Sequence, residues 1–199
     1  MKKIHRKGRI EVITGPMYAG KTEELIRRIR RAQFANEKIV VFKPAVDDRY
    51  AESEVVSHDN SRTKSINIVN SIDILNHVDE YTDVVAIDEL QFFDDDIVDV
   101  VEQLASQNIR VIVSGLDMNF RGDPFHPIPE LLSLAEEVDK LTAVCVVCHA
   151  DATRTQRIVN KRPARYDDPE ILVGATESYE ARCRHCHSVP GKPKNKLSK

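Results

Sequence analysis

The stretch at residues 15–22, GPMYAGKT, is the first part of the sequence whose residue types and spacing could do chemistry. Two glycines that bracket four residues, followed by a lysine and a threonine, are typical of a loop whose main-chain N–H groups surround phosphate. Lys21 would then reach the β- and γ-phosphates of a nucleotide, and the Thr22 hydroxyl would ligate Mg²⁺. The alternative is an ordinary turn between a strand and a helix.

The residues on either side of this stretch favour the phosphate loop. Residues 9–14 are short, apolar and β-branched, which is typical of a buried strand. Residues 21–34 place Leu25, Ile29 and Phe34 on one helical face. The N-terminus of that helix would add partial positive charge beside bound phosphate. The residues expected to line the phosphate site are Gly15, Pro16, Met17, Tyr18, Ala19, Gly20, Lys21 and Thr22.

A pair of acids follows a second apolar run. Residues 84–87 are apolar, and Asp88 and Glu89 come directly after them. A buried strand that delivers a carboxylate beside a phosphate loop holds Mg²⁺, so Asp88 is expected to bind the ion directly or through water. Glu89, with its side chain on the opposite face of the strand end, could accept a proton from the group that attacks the γ-phosphate. The alternative is that these acids only cap the strand or the next helix.

All four cysteines of the chain occur in two C-x-x-C pairs. This spacing is typical of a four-cysteine zinc site, whose metal has no open position and is therefore structural. The metal would anchor the 34 residues between the pairs as a protruding loop. A redox pair or four unrelated thiols are the alternatives, and His149, His185 and His187 are expected to be exposed bystanders. The predicted ligands are Cys145, Cys148, Cys183 and Cys186.

Strand-like and helix-like segments alternate before the cysteines, which predicts an α/β fold with a mostly parallel sheet. Ligands of such sheets bind at the carboxyl ends of the strands, where both motifs fall. Ser71 is expected to cap one helix, and Pro129 to take the first position of another. The predicted strands are residues 9–14, 38–44, 66–69, 83–89, 109–116 and 140–145, the predicted helices are residues 21–34, 71–78, 94–107 and 129–138, and residues 47–65 are expected to form a long loop.

Composition limits the classes of partner. The formal net charge is −3, but nine of the 29 basic residues lie in residues 2–9 and 192–199, which leaves 20 against 32 acidic residues elsewhere. An acidic body is a poor surface for nucleic acid, and the basic ends are expected to be solvated. No apolar run is long enough for a membrane span, and the start is too short for a secretory signal. We therefore expect a cytoplasmic protein without membrane or nucleic-acid partners.

The ordered set of motifs resembles one known family. GPMYAGKT is followed by KPAVDDRY, SHD, IDELQFF, GLDMNFRGDPF, LTAVCVVC and SYEARCRHC. In this order they resemble the zinc-containing, cellular-type (type II) thymidine kinases, which are ATP:thymidine 5′-phosphotransferases. The resemblance extends from about Gly8 to Pro190, and the wording DMNF and the short tail look like the bacterial members. It implies a P-loop (RecA-like) kinase domain with a small zinc-binding lid domain.

The resemblance also implies roles for individual residues that handle ATP. Asp88 matches the Mg²⁺-linked aspartate of the family, and Glu89 matches the general base for the 5′-hydroxyl of thymidine. Arg157 matches a cationic position near the phosphates. Beyond the phosphate loop, the positions expected to contact Mg-ATP are Asp47, Arg49, Asp88, Glu89, Leu90 and Gln91.

A further group of positions is expected to bind the nucleoside. Phe120 matches the ring that stacks on thymine, and the lid is expected to bind the base through its main chain. Apolar and aromatic side chains suit a flat base with a methyl group, although the phenylalanines could also be ordinary core residues. The matching positions are Phe92, Leu116, Phe120, Phe125, Thr155, Ile171, Leu172, Val173, Gly174 and Tyr179.

The expected organisation is a kinase domain at residues 1–142, a zinc-bound lid domain at residues 143–190 and a disordered basic tail at residues 191–199. By resemblance we also expect a homotetramer that dTTP inhibits. Three alternatives stay open: an ATPase that acts on nucleic acid, a zinc-binding interaction module gated by nucleotide, and a kinase for another deoxynucleoside. Glu89 separates the first alternative from a kinase, because an ATPase would use it to activate water.

Overall fold

The computed structural model describes residues 8–45, 54–56, 62–170 and 177–193. The chain divides into two compact units. The first comprises Met1–Thr14, Gly20–Asp117 and Phe125–Lys140, and the second comprises Gly15–Ala19, Met118–Pro124 and Leu141–Lys199. The boundary predicted after residue 142 stays a prediction, and two short earlier segments group with the C-terminal part of the chain.

The first unit is built on six parallel strands with order β5-β2-β6-β7-β1-β8. This arrangement confirms the predicted α/β class with a parallel sheet. Its strands are β1 (Arg9–Thr14), β2 (Ile39–Pro44), β3 (Glu54–Val56), β4 (Arg62–Lys64), β5 (Ile66–Ile68), β6 (Val84–Ile87), β7 (Arg110–Gly115) and β8 (Glu137–Lys140). Its helices are α1 (Lys21–Phe34), α2 (Ile97–Ser106) and α3 (Ile128–Leu134), with 3₁₀ turns at Ser71–His77 and Leu90–Phe92.

β6 is apolar along its whole length and β7 is apolar in its middle, as expected for strands of a parallel sheet whose two faces are covered. All four residues of β6 have no exposed surface, and Val111, Ile112 and Val113 of β7 are equally buried. Burying side chains of this kind stabilises a fold by roughly 1.5–3 kcal/mol each. The sheet therefore holds the ends of β6 and β7 rigidly, and the predicted functional residues follow those ends.

Four local expectations differ from the structure. Residues 47–65 contain an antiparallel pair, β3 with β4, rather than only a loop. Ser71 does not cap its helix, since Asn70 takes that position and the Ser71 main-chain N–H donates to Asp94. Phe34 ends α1 89% exposed. Phe34 shows that local periodicity does not tell which face of a helix the rest of the chain covers.

The helix predicted at residues 129–138 is the fourth of these errors. It begins one residue earlier, places Pro129 second and ends at Leu134. Val138 belongs instead to β8, whose four residues pair in parallel with Glu11–Thr14 of β1. Without β8, that edge of β1 would have unpaired N–H and C=O groups, which cost free energy when buried. Strand pairing therefore outweighs the local preference for helix.

A buried carboxylate, Glu11, lies at the centre of an ionic network on β1. Its oxygens accept hydrogen bonds from Arg9 at 2.6 Å, Arg28 at 2.6 Å and Arg110 at 2.6 and 2.8 Å. Burial alone would raise the pKa of Glu11, but the hydrogen bonds from Arg110, Arg9 and Arg28 lower it to about 2. The network therefore ties β1 to α1 and to β7 only while Glu11 is ionised.

We expect Glu11→Gln to lower the free energy of unfolding at pH 7 by roughly 3–5 kcal/mol, because buried Arg28 and partly exposed Arg110 lose their charged acceptor. The folded-state pKa of Glu11 lies below its ordinary 4.5, so its contribution is complete above pH 4.5 and is lost as pH falls toward about 2. The difference between the variant and the unsubstituted chain should therefore shrink over that range. Urea unfolding at pH 7, 4 and 3 measures it, with the exposed Glu102→Gln as control. A difference that does not depend on pH would contradict this account.

The second unit consists of short antiparallel pairings. Its strands are β9 (Ala143–Val144), β10 (Asp151–Ala152), β11 (Arg154–Val159), β12 (Arg162–Pro163) and β13 (Glu177–Arg182). β9 pairs with β10, and β11 lies between β12 and β13. Across the described ranges, no helix has the length and apolar character needed to span a bilayer.

Candidate active site and metal centre

The phosphate-loop residues of the second unit have a backbone that requires glycine. Gly15 has φ +141°, and a Cβ there would lie 2.4 Å from the carbonyl oxygen of Leu141. The main-chain N–H of Met17 donates to the Thr155 hydroxyl at 3.0 Å, and the Tyr18 hydroxyl donates to the carbonyl of Tyr179 at 3.2 Å. Residues of β11 and β13 therefore contact the phosphate loop, and Thr155 of β11 does so through its hydroxyl.

The rest of the loop belongs to the first unit and begins α1. Gly20 has φ +83°, a left-handed conformation that glycine adopts without strain, and no side chain caps the helix. Lys21 and Thr22 form its first turn, so their N–H groups keep the partial positive charge of the helix end. The Thr22 hydroxyl lies 3.4 Å from Asp88 Oδ2. A hydroxyl and a carboxylate oxygen at this separation are suitable ligands for one Mg²⁺ ion.

Burial shifts the pKa values of Asp88 and Lys21 in opposite directions. Asp88 is 6% exposed, and burial followed by repulsion from Glu89 raises its pKa to about 6. Burial lowers the pKa of Lys21, while the neighbouring carboxylates Glu89, Asp88 and Asp117 oppose that shift. A cation bound beside Asp88 would favour its ionised form. The site is therefore suited to a ligand that brings both a metal ion and negative charge.

Glu89 lies in a strained turn rather than at the end of a strand. β6 ends at Ile87, and Glu89 has φ 53° and ψ 42°, which is left-handed and unusual for a residue with a Cβ. Strand alternation therefore does not set the direction of its side chain, and the predicted direction stays a prediction. Its carboxylate is exposed and accepts a hydrogen bond from Gln91 Nε2 at 2.5 Å, while Gln91 Oε1 accepts from Leu116 N–H at 2.9 Å. Buried Gln91 thus fixes a solvent-facing carboxylate to the end of β7.

Sequence reasoning also missed the ion pair that Asp117 forms in this unit. Asp117 follows β7, is 6% exposed, and binds Lys140 Nζ of β8 at 2.7 Å. Its carboxylate contributes to the electrostatic environment of Lys21. The signal was an acid directly after a buried strand, the same signal that identified Asp88.

The predicted nucleoside residues fall into separate groups. In the first unit Phe92 and Phe125 pack edge to face, with ring centroids 6.2 Å apart, and Leu116 is partly exposed nearby in sequence. In the second unit Phe120 is 4% exposed, and the guanidinium of Arg157 lies 3.6 Å from its ring centroid.

Leu90 is one of the positions assigned to ATP by resemblance. Leu90 is fully buried in the core, so only its main chain could touch ATP, and the assigned roles of all these side chains stay predictions. Six of the predicted positions lie outside the described residues: Asp47, Arg49, Ile171, Leu172, Val173 and Gly174.

The four cysteines form one cluster in the second unit. Their sulfur atoms all lie within 4.8 Å of one another, and Cys148 Sγ is 3.6 Å from Cys183 Sγ. Tetrahedral zinc with Zn–S bonds of about 2.3 Å requires sulfur separations of roughly 3.8 Å, whereas a disulfide requires about 2.05 Å. All four cysteines are free. The cluster therefore fits a bound metal better than a disulfide.

The thiols also differ in how readily they lose a proton. Burial raises the pKa of Cys145, but hydrogen bonds from the N–H groups of Cys183 and Cys148 lower it to about 6. Hydrogen bonds to the sulfurs of Cys183 and Cys148 raise the pKa of Cys186 to about 12. A bound divalent cation would favour the thiolate forms that metal ligation requires.

His187 is not the exposed bystander that the sequence suggested. It is half-buried, and its ring Nε2 lies 2.9 Å from the carbonyl oxygen of Phe120. The main-chain N–H of His187 donates to the main-chain carbonyl of Cys183. His149 and His185 are exposed, as expected. His187 therefore joins the second cysteine pair to the segment that contains Phe120.

One comparison with known proteins identifies a family. A family model described as thymidine kinase matches residues 8–187, which include the phosphate loop, both acids and all four cysteines.

Proposed function

Because the chain belongs to the thymidine kinase family, we propose that it transfers the γ-phosphoryl group of Mg-ATP to the 5′-hydroxyl of thymidine, giving dTMP for nucleotide salvage. The observation that best supports this reaction is the cluster at the carboxyl edge of the parallel sheet. There Thr22 lies 3.4 Å from Asp88, and Gln91 holds the neighbouring Glu89 toward solvent. A phosphate loop, a metal ligand and a fixed base are the parts that phosphoryl transfer needs.

The donor side of the reaction would use the phosphate loop. In our proposal its N–H groups and Lys21 bind the β- and γ-phosphates, where Lys21 offsets negative charge that develops in transfer. Thr22 and Asp88 would hold Mg²⁺, which supplies further charge neutralisation when bound. Asp47, Arg49 and the main chain at residues 90–91 are proposed contacts to ATP on the strength of the family motifs.

The acceptor side would depend on Glu89. Its carboxylate is exposed, so it can reach a hydroxyl, and its left-handed turn and the bond from Gln91 restrict its direction. We assign it the removal of the proton from the 5′-hydroxyl as that oxygen attacks phosphorus. A restricted base reduces the entropy lost in reaching the reactive geometry.

The nucleoside positions are proposed from the family motifs. In the first unit Phe92, Leu116 and Phe125 are proposed as contacts to thymine, and in the second unit Phe120 and Thr155 have the same proposed role. Residues 171–174 and Tyr179 are proposed to cover it through their main chain. Excluding water in this way would protect ATP from hydrolysis. We further propose a structural Zn²⁺ on the four cysteines, a homotetrameric assembly and inhibition by dTTP.

Acceptor-dependent production of ADP tests this function. Purified protein with Mg-ATP is expected to release ADP steadily with thymidine, and far more slowly without an acceptor or with deoxycytidine, deoxyguanosine or single-stranded DNA. A Lys21→Met preparation, purified identically, controls for contaminating kinases. Turnover that needs DNA, or no acceptor at all, would contradict the kinase and assign Glu89 to activating water.

A further inference from the structure

We propose that Arg157 is a positioning residue for nucleoside binding, which acts by fixing the Phe120 ring and the backbone at residues 169–170. The proposal rests on the function proposed above, and it replaces the earlier expectation that Arg157 lies near the phosphates. All of its contacts described below lie within the second unit.

The guanidinium of Arg157 is fully buried and has an unusual set of partners. Arg157 has no exposed surface, and its guanidinium carbon lies 3.6 Å from the centroid of the Phe120 ring. Its Nη1 donates to the carbonyl of Glu170 at 3.1 Å, and its Nη2 donates to the carbonyl of Pro169 at 2.7 Å. No carboxylate in the described part of the chain forms an ion pair with it. Removing a cation from water without a counter-ion costs free energy. The contacts to the two carbonyls and to the ring must offset this cost, so they fix the guanidinium in one geometry.

A second arginine extends the same arrangement. Arg121 donates to the carbonyls of Tyr166 and Asp168, both at 2.8 Å, and its guanidinium carbon lies 5.1 Å from the Phe120 centroid. Asn119 adds a hydrogen bond from its side-chain amide to the carboxylate of Glu170. Two arginines thus contact the Phe120 ring while binding four carbonyls of one short segment, residues 166–170.

This arrangement specifies where a base can stack. The Arg157 guanidinium lies over the Phe120 ring at van der Waals distance and Phe120 as a whole is only 4% exposed, so a base can reach only the small part of the ring that stays uncovered. The same side chain sets the path of the main chain up to Glu170. Holding an aromatic ring and nearby main chain in advance reduces the ordering cost of binding a flat ligand. Arg157 therefore affects the nucleoside through Phe120 rather than by touching it.

Lysine cannot reproduce these contacts. Arginine has a planar fork that can donate to two carbonyls at once while its face stacks on an aromatic ring. Lysine retains the positive charge but presents it as a point, without the plane. Arg157→Lys therefore tests the planar geometry separately from the charge.

The experiment compares the two KM values of Arg157→Lys. We expect the KM for thymidine to rise about tenfold or more, since small displacements of positioning groups have effects of this size, while the KM for ATP and the bound metal stay unchanged. Arg162→Lys is the matched control, because Arg162 is exposed on β12 of the same unit. An unchanged thymidine KM, or equal changes in both KM values, would overturn the proposal.

Two further variants cover other outcomes. In a Phe120→Leu background, Arg157→Lys should add little to the thymidine KM, and additive effects would contradict action through the ring. If Arg157→Lys does not fold, Arg121→Lys tests the same ring from a partly exposed residue, and an unchanged thymidine KM there would overturn the proposal. Failure of the unsubstituted protein to use thymidine would instead refute the proposed function, and a nucleoside panel scored by thermal shift would then test Arg157 by binding alone.

Discussion

Replacing Glu89 with glutamine is expected to lower kcat by roughly 10²–10⁴-fold and to leave the KM for ATP nearly unchanged. Glutamine has the same shape but cannot accept the proton of the attacking hydroxyl at neutral pH. Its side-chain oxygen can still accept the hydrogen bond from Gln91, so the turn at residue 89 should persist. The effect should therefore fall on the chemical step alone.

Steady-state kinetics with saturating thymidine and Mg-ATP measures this loss. Glu102→Gln, an exposed substitution on α2, removes one negative charge from the same unit and should retain full activity. Direct binding of ATP to the Glu89 variant distinguishes lost chemistry from lost binding. A variant that keeps most of its kcat would remove Glu89 from the role of base.

Removal of the metal has the second large expected effect. Structural zinc contributes an apparent 10–16 kcal/mol, roughly, in small zinc-dependent peptides, and whole domains are stable by only about 5–15 kcal/mol. Among the described residues, the buried apolar cluster around the cysteines of the second unit consists only of small side chains, alanines and the cysteines themselves. We therefore expect metal-free protein to lose the fold of this unit and all kinase activity.

Elemental analysis, circular dichroism and thermal unfolding test this expectation together. Purified protein should contain about one zinc per chain, and Cys183→Ser should lose the metal and melt at a lower temperature. His149→Ala is the matched control, because His149 is an exposed neighbour of the cluster and not one of its four ligands. Metal-free protein that keeps its circular dichroism, its melting temperature and its activity would refute the anchoring role.

Local signals were sufficient where a single stretch of chain determines its own structure. The bounds of β1 and α1 were predicted without error, because a β-branched run, two glycines and a helical period follow one another there. β8 could not be predicted in this way, since its four residues are strand only because β1 offers a free edge. The type of an element can thus be predicted from its own residues, except where pairing with a neighbouring strand determines it.

The chemistry of the site was readable to a similar depth. Residue types and spacing predicted the approach of Thr22 to Asp88 and the gathering of four cysteines. They gave no sign of the left-handed turn at Glu89. Arg157 was placed near the phosphates by family resemblance, and its partner Phe120 lies far away in sequence. Periodicity and motif spacing do not indicate which residues far away in sequence contact a buried charge.

The second unit is formed by three separate segments of the chain, which limits how the protein can be divided into fragments that fold. A cut near residue 142 would separate Thr155 from Met17, and both Arg157 and His187 from Phe120. A fragment that starts there would keep all four cysteines but lose two of the three chain segments that complete its unit. The part of the chain that could be exchanged between homologous proteins is therefore not a single C-terminal segment. It is a set of three segments that must be inherited together, so recombination inside this gene should preserve function only when all three come from one parent.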